Sequence, residues 1–117
     1  MNERKMTALA LIDKDAALYE ELADRIWENP ELSLKEHKAA ALYCRTLRAL
    51  GFSVTEKLCG IDTAFCGSYG SGRPVIGILG EYDALSGLSQ KAGAAAHEPL
   101  TPGGSGHGCG HNMLGAG

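Results

Sequence analysis

One apolar segment, Pro74–Gly80, constrains the fold more than any other part of the chain. Its sequence is Pro-Val-Ile-Gly-Ile-Leu-Gly, which has no polar side chain. A half-buried strand would alternate apolar and polar residues, so a continuous apolar run predicts a strand that is covered on both faces. Such strands lie at the centre of α/β sheets. Glu81-Tyr82-Asp83 follows at once, which places two carboxylates at the mouth of the predicted strand.

Two shorter segments upstream also have the pattern of strands. Phe52–Lys57 alternates apolar and polar residues, as expected for a half-buried strand. Thr63–Tyr69 is the second, bounded by Gly60 and by the turn sequence Gly70-Ser71-Gly72. Together with Pro74–Gly80, these segments predict the first strands of a sheet.

Two helices are predicted before the strands. In the first, Leu18, Leu22 and Ile26 recur at four-residue spacing, and the helix ends at Asn29-Pro30 because the residue before proline avoids the α region. The second is expected from Ser33-Leu34-Lys35-Glu36, which fits a capping box, to about Leu50. Its predicted apolar stripe consists of Ala39, Tyr43, Leu47 and Leu50. The sequence therefore predicts an α/β fold in which two N-terminal helices pack on the first strands of a mixed sheet.

Composition argues against several classes of function. The 117 residues are 44% hydrophobic and 21% charged, with a formal net charge of −3 and no basic block, which disfavours a nucleic-acid or acidic-membrane partner. No apolar run approaches the roughly 18 to 20 residues that span a bilayer. The apolar stretch Ala8–Ile12 is too short for an export signal, so a cytoplasmic location is expected. Three of the four cysteines, Cys44, Cys59 and Cys66, are then expected to be free thiols.

The strongest chemical signal is Gly106-His107-Gly108-Cys109-Gly110-His111-Asn112. His107, Cys109 and His111 are three metal-competent side chains within five residues, and thiolate and imidazole suit Zn²⁺ and related ions. In an extended segment all three would point to one side, whereas in another geometry two would bind and the third would orient them. A flexible glycine loop with incidental His and Cys residues is the alternative.

Glu81 and Asp83 are the second chemical feature. Carboxylates after a buried strand act as metal ligands, as partners that orient a ligating histidine, or as general bases. The alternative is that both are solvated loop residues. The long, small-residue segment 84–106 follows, and loops of this length are usually functional or disordered.

These motifs, in this order, resemble the metal-dependent aminoacylase/carboxypeptidase-type amidohydrolases. The resemblance rests on Asn29-Pro30-Glu31-Leu32-Ser33 with Glu36, on Gly80–Leu85, and on the Cys-Gly-His motif at Cys109–His111. Within the family, the chain is most similar to the branch of hippurate hydrolase, indole-acetyl-amino-acid hydrolase and aminobenzoyl-glutamate utilisation protein B. The resemblance runs from about Leu18 onward.

The resemblance implies a specific chemistry. Cys109 and His111 match ligands of a pair of divalent metal ions, Zn²⁺ or Mn²⁺, and Asp83 matches an aspartate that orients a metal ligand. Glu81 stands where relatives often have Asp, and Asn112 replaces a common Asp. The implied reaction is hydrolysis of an amide bond in a small molecule, such as an N-acyl amino acid or an aminobenzoyl-glutamate-like compound, by an enzyme that is a homodimer.

The implied site needs more residues than the sequence contains. No Asp or Glu follows Glu98, although the family's general base and remaining ligands lie downstream of the Cys-Gly-His motif. Residues 1–117 are therefore expected to be the N-terminal part of an incomplete catalytic domain of a di-metal hydrolase, without the lid and dimerisation domain. No catalytic base is expected in the chain, which is predicted to be inactive alone. The alternatives are a small metal-binding module that uses the His107–His111 loop, and a non-catalytic scaffold.

Overall fold

Helices form most of the regular structure. A computed structural model describes residues 2–117. The helices are α1 (Glu3–Lys14), α2 (Ala16–Trp27), α3 (His37–Ala49) and α4 (His111–Ala116), and the strands are β1 (Ser53–Glu56) and β2 (Phe65–Ser68).

The hydrophobic core lies where α2, α3 and α4 meet the β2 strand. Leu22 and Ile26 from α2 pack against Ala39 and Tyr43 from α3. The Tyr43 ring stacks on Phe65 of β2 at a centroid distance of 6.0 Å. The helical spacing in the sequence predicted these buried positions, but Leu18 and Leu50, which the same stripes include, are exposed at the helix ends.

The predicted capping box at the start of α3 is wrong. Helix α3 begins only at His37, and Ser33 makes no cap, because Leu34 adopts a left-handed conformation with a φ of 65° that a helix cannot contain. The carboxylate of Glu31 takes over the role. It accepts hydrogen bonds from the backbone N–H groups of Lys38 at 3.1 Å and Ala39 at 2.9 Å. A residue outside the helix therefore satisfies two of its free N-terminal donors.

The two shorter strand predictions are confirmed, although both strands are shorter than expected. Strands β1 and β2 form an antiparallel pair in which Ser53 lies opposite Ser68 and Glu56 opposite Phe65. The connection passes through a short 3-10 turn, Leu58–Gly60. The mixed α/β content agrees with the predicted fold class, but the sheet in residues 2–117 is this antiparallel pair rather than a mixed sheet.

The prediction of a buried central strand at Pro74–Gly80 is wrong. The segment forms no strand, and its four aliphatic residues are between 82% and 96% exposed: Val75, Ile76, Ile78 and Leu79. A strand needs hydrogen-bonding neighbours and covered faces. Neither is present for this segment within residues 2–117, where β1 and β2 pair only with each other.

Helix α1 was not predicted. Its apolar residues are clustered rather than spaced along one face, so the sequence has no amphipathic signal there. The Asn2 side chain caps the helix by accepting a hydrogen bond from the Lys5 N–H at 3.1 Å. None of its residues is buried. Among residues 2–117, no helix combines the length and the apolar character that crossing a bilayer requires.

Candidate metal centre

A short extended segment at residues 83–85 lies at the centre of the site. The Ala84 N–H donates to the Glu31 carbonyl at 2.8 Å, and Leu85 and Gly106 exchange two backbone hydrogen bonds of 3.0 Å. The segment is therefore fixed between the loop before α3 and the glycine-rich stretch before α4. Because Leu85 pairs with Gly106, the carboxylate sequence and the His107–His111 sequence are brought together from distant positions in the chain.

The long connection between them is an ordered loop. The Lys91 N–H donates to the Glu98 carbonyl at 2.8 Å, and the Gln90 side chain bonds both the Ala96 carbonyl and the Glu98 N–H. The Ser89 hydroxyl accepts from the Thr101 N–H at 3.0 Å. These hydrogen bonds give the segment a defined conformation at these positions. His97 in this loop is exposed and lies outside the metal centre.

Gly106 and Gly108 allow close packing beside His107. A Cβ atom on Gly106 would overlap the Leu88 carbonyl oxygen, which is a backbone atom that cannot move away. A Cβ atom on Gly108 would lie 2.5 Å from Leu88 Cδ1, the far end of a flexible side chain. The absence of side chains at these positions lets the stretch lie directly against the loop.

Three predicted residues converge on one point. Glu81, Asp83 and His111 each offer one potential ligand atom, and these atoms all lie within 4.8 Å of one another. His111 is the first residue of α4 and follows Gly110, whose φ of 73° turns the chain into the helix. The His111 side chain is 19% exposed and that of Asp83 is 27% exposed, whereas that of Glu81 is 61% exposed. The cluster is therefore held on one side and open to solvent on the other.

The imidazole of His111 bridges the two carboxylates. Its Nδ1 lies 2.8 Å from Asp83 Oδ1 and 3.1 Å from the Asp83 carbonyl, and its Nε2 lies 3.3 Å from Glu81 Oε2. When Nδ1–H donates to Asp83, the lone pair of Nε2 faces a carboxylate oxygen. Two acceptors at that distance need a cation between them, which is either a proton or a metal ion. The Glu81 carboxylate and His111 Nε2 suit a divalent metal, with Asp83 orienting the ring, and an ion bound there would have room for water and further ligands.

Tyr82 separates the two carboxylates and points the other way. Its ring lies 5.2 Å from that of Tyr43 in the core, and its hydroxyl donates to the Thr63 carbonyl. Successive side chains of an extended segment alternate, so a half-buried Tyr82 that packs on the core directs Glu81 and Asp83 to the opposite side. Burial raises the pKa of Tyr43 to about 12 and also raises the pKa of Tyr82. Both phenols are therefore neutral packing groups.

The structure does not bring all candidate ligands into the cluster. Cys109 is exposed and is not part of the group formed by Glu81, Asp83 and His111. The ring nitrogens of His107 are buried without a hydrogen-bond partner, and burial lowers the pKa of this histidine, with His111 acting in the same direction. The ligand roles of Cys109 and His111, and the supporting role of His107, stay predictions.

Asn112 has a structural role that the sequence did not indicate. It is only 6% exposed, and its Nδ2 donates to the carbonyl of Ala23 in α2 at 3.3 Å. An Asp at this position would place an acceptor against an acceptor. The Asn that departs from the family's common residue is therefore suited to holding α4 on α2. Only the position of α2 in space could have identified this partner, because it lies 89 residues away.

Comparison with known proteins points first to a class: two curated relatives carry the names of hydrolytic enzymes. The first is one of the subunits of the p-aminobenzoyl-glutamate hydrolase of Escherichia coli (strain K12), to which the chain is 49% identical over 104 residues, or 89% of its length. The second is Thermostable carboxypeptidase 2 of Saccharolobus solfataricus, at 40% identity over 63 residues, or 52% of the chain.

These comparisons confirm the resemblance to the amidohydrolase and peptidase group. The chain spans about a fifth of the length of the first relative, 22%, and 16% of the second. No protein-family model matches it. The first match covers 89% of the chain, so the sequence similarity is not confined to one motif.

Proposed function

We propose that this chain carries the metal-binding part of an enzyme that hydrolyses an amide bond in an N-acyl amino acid or an aminobenzoyl-glutamate-like substrate. One observation carries the proposal: Glu81, Asp83 and His111 converge within 4.8 Å in a chain 49% identical to a protein named as part of a p-aminobenzoyl-glutamate hydrolase. The carboxypeptidase name of the second relative is consistent with cleavage of an amide bond next to a carboxylate-bearing residue.

The three residues of the cluster have different proposed roles. Asp83 accepts the Nδ1–H of His111, which fixes the ring orientation and leaves Nε2 free to bind a cation. Glu81 adds negative charge beside Nε2 and is the most exposed of the three, so it lies on the side from which substrate and water arrive. A divalent metal bound there would supply Lewis acidity toward the scissile carbonyl and would lower the pKa of a bound water.

The complete site requires further groups. Following the family resemblance, we propose two ions, Zn²⁺ or Mn²⁺, with Cys109 as a ligand in addition to His111. Within the cluster, His111 Nε2 and Glu81 would bind one ion while Asp83 orients the ring. The chain spans 22% of the length of the first relative, and we propose that the glutamate that moves the proton from water to the leaving amine, the remaining ligands and the homodimer contacts correspond to other regions of that relative. The 117-residue chain is accordingly proposed to bind metal but not to turn over substrate.

Metal binding by the chain can be tested by calorimetric titration with Zn²⁺ and with Mn²⁺. Asp83→Asn is expected to weaken binding about 10- to 100-fold, because it removes the group that orients a ligand. His111→Ala is expected to abolish binding, whereas His97→Ala, which removes an exposed histidine outside the cluster, should leave it unchanged. Equal losses in His97→Ala and His111→Ala would contradict the proposed centre.

The same titration defines the role of Cys109. Loss of affinity in Cys109→Ala would add the thiolate to the ligand set, as the resemblance implies. Unchanged affinity would restrict the ligand set to Glu81 and His111, with Asp83 orienting the ring.

The amidase function needs its own assay. Protein isolated from the source cell is incubated with p-aminobenzoyl-glutamate and with N-acyl amino acids, and the released amine is measured with and without added metal. Metal-dependent release that is lost in His111→Ala supports the proposal. Tight metal binding without any hydrolysis by the native protein would favour the metal-binding module instead.

A further inference from the structure

A second depression, separate from the metal centre, lies between α2 and α3. Its volume is about 290 Å³, and its polar lining consists of Arg25 and Asn29 near the end of α2 and Lys38 and Arg45 on α3. None of its lining residues belongs to the cluster of Glu81, Asp83 and His111. Three of the four polar lining side chains carry a positive charge.

Local geometry explains why these side chains meet. Arg25 is in the last turn of α2, and Asn29 follows the helix and donates from its Nδ2 to the Arg25 carbonyl at 3.1 Å. Lys38 and Arg45 are seven residues apart on one face of α3. Between the two helices, the buried residues Ile26 and Ala39 form the floor. The cationic groups are therefore mounted on packed helices rather than on a mobile loop.

The positive charges in this depression are poorly neutralised. Glu21 pairs with Arg25 at 3.7 Å, but both side chains are more than half exposed, and such pairs contribute little. In residues 2–117, neither Lys38 nor Arg45 forms an ion pair with a carboxylate. The Lys38 ammonium instead donates to Asn29 Oδ1 at 3.5 Å.

The nearby carboxylates are directed elsewhere. Glu31 is occupied by the backbone N–H groups of Lys38 and Ala39. On α2 and at its end, three acids line a different groove, the one between α2 and α4: Glu20, Asp24 and Glu28. Helix α2 thus separates its charges, with acids facing α4 and the Arg25–Asn29 face turned toward α3.

We propose that this depression binds the phosphate group of a small molecule or free phosphate. The guanidinium groups of Arg25 and Arg45 and the Lys38 ammonium match the several oxygens of a phosphate group, which carries between one and two negative charges near neutral pH. The volume of the depression admits a phosphate group with a small substituent but not a folded partner.

The test is calorimetric titration of the chain with inorganic phosphate at constant ionic strength, set with chloride. Saturable binding is expected, and Lys38→Gln and Arg45→Gln should each weaken it about tenfold, the loss of one charge-assisted hydrogen bond. Arg48→Gln is the matched control. It removes the same charge three residues farther along α3, where the side chain pairs with Glu56 and does not line the depression.

One further probe, glycerol phosphate, identifies the source of the phosphate. Glycerol phosphate that binds as tightly as inorganic phosphate assigns the site to phosphate esters, whereas binding of inorganic phosphate alone assigns it to the free ion. Non-saturable binding, equal weakening in Arg48→Gln, or tighter binding of succinate than of phosphate would overturn the proposal. Thermal unfolding of each variant verifies that these exposed substitutions leave the fold intact.

Discussion

Two apolar regions of the molecule differ in burial. Ile26 is 2% exposed in the core formed by α2 and α3, whereas Ile78 is 96% exposed in the segment Pro74–Gly80. The second region is the more hydrophobic in sequence, yet nothing in residues 2–117 covers it. The core residues of α2 are covered because α3, the next helix in the chain, packs against the same face. The comparison teaches that apolar sequence predicts a need for burial, and that only a neighbouring element can meet it.

The largest difference in stability is expected when an isoleucine is truncated to alanine in each of the two regions. Ile26→Ala should lower the free energy of unfolding by about 2–5 kcal/mol, because it removes packed methyl groups and leaves a cavity. Ile78→Ala should change it by less than about 0.5 kcal/mol. Urea denaturation of both variants measures the difference. Similar losses would mean that Pro74–Gly80 is covered in solution, which would break the comparison.

A methyl group added to a glycine probes the same contrast from the opposite direction. In Gly115→Ala, the new Cβ would lie 2.5 Å from the Tyr43 hydroxyl oxygen, so α4 must shift on the core at a cost of about 1–3 kcal/mol. In Gly77→Ala, the new Cβ meets nothing within 4 Å, so no loss is expected. Thermal unfolding midpoints compare the two, and a lower midpoint for Gly77→Ala would contradict the open conformation of that segment.

A smaller effect is expected from exchanging an amide for a carboxylate. Asn112→Asp replaces the buried donor to the Ala23 carbonyl with an acceptor, which should cost about 1–2 kcal/mol. Asn29→Asp alters the same type of bond, from Nδ2 to the Arg25 carbonyl at 3.1 Å, at an exposed position and should cost less than about 0.5 kcal/mol. If chemical denaturation gave equal costs, burial would not be what makes Asn112 important.

The smallest effect on stability is expected for a charge placed in the exposed segment. Ile78→Lys should leave the unfolding midpoint unchanged, because the side chain has no packed neighbours. It should, however, reduce self-association, since exposed apolar residues with unpaired backbone favour edge-to-edge pairing. Light scattering over a concentration series measures this. Unchanged scattering would show that the segment is not a contact between copies.

Local patterns in the sequence predicted the parts of the fold that depend on near neighbours. The four-residue spacing located α2 and the buried face of α3, and the alternation at Phe52–Lys57 located β1. The failures share another cause. The strand at Pro74–Gly80 depends on neighbours that local sequence cannot supply, and the capping box failed because Leu34 turns left-handed and Glu31 provides a better cap.

The candidate site was predicted in its residues but not in its arrangement. The motif around Cys109–His111 and the acids after the apolar segment were enough to identify His111, Asp83 and Glu81 as candidates. Their grouping requires the pairing of Leu85 with Gly106, which closes a long loop and is not visible in local sequence. The motif favoured Cys109 over Glu81, whereas Glu81 lies in the cluster and Cys109 lies outside it.

Glu31 joins two parts of the molecule that otherwise have different tasks. Its side chain caps α3, while its carbonyl accepts from the N–H of Ala84, the residue after Asp83. Fraying at the first turn of α3 would thus loosen the support of the carboxylate that orients His111. Glu31 therefore couples the metal affinity of the centre to the stability of α3, a helix that contributes no ligand. A mutation that destabilises the first turn of α3 is expected to lower metal affinity even though it lies far from any donor atom.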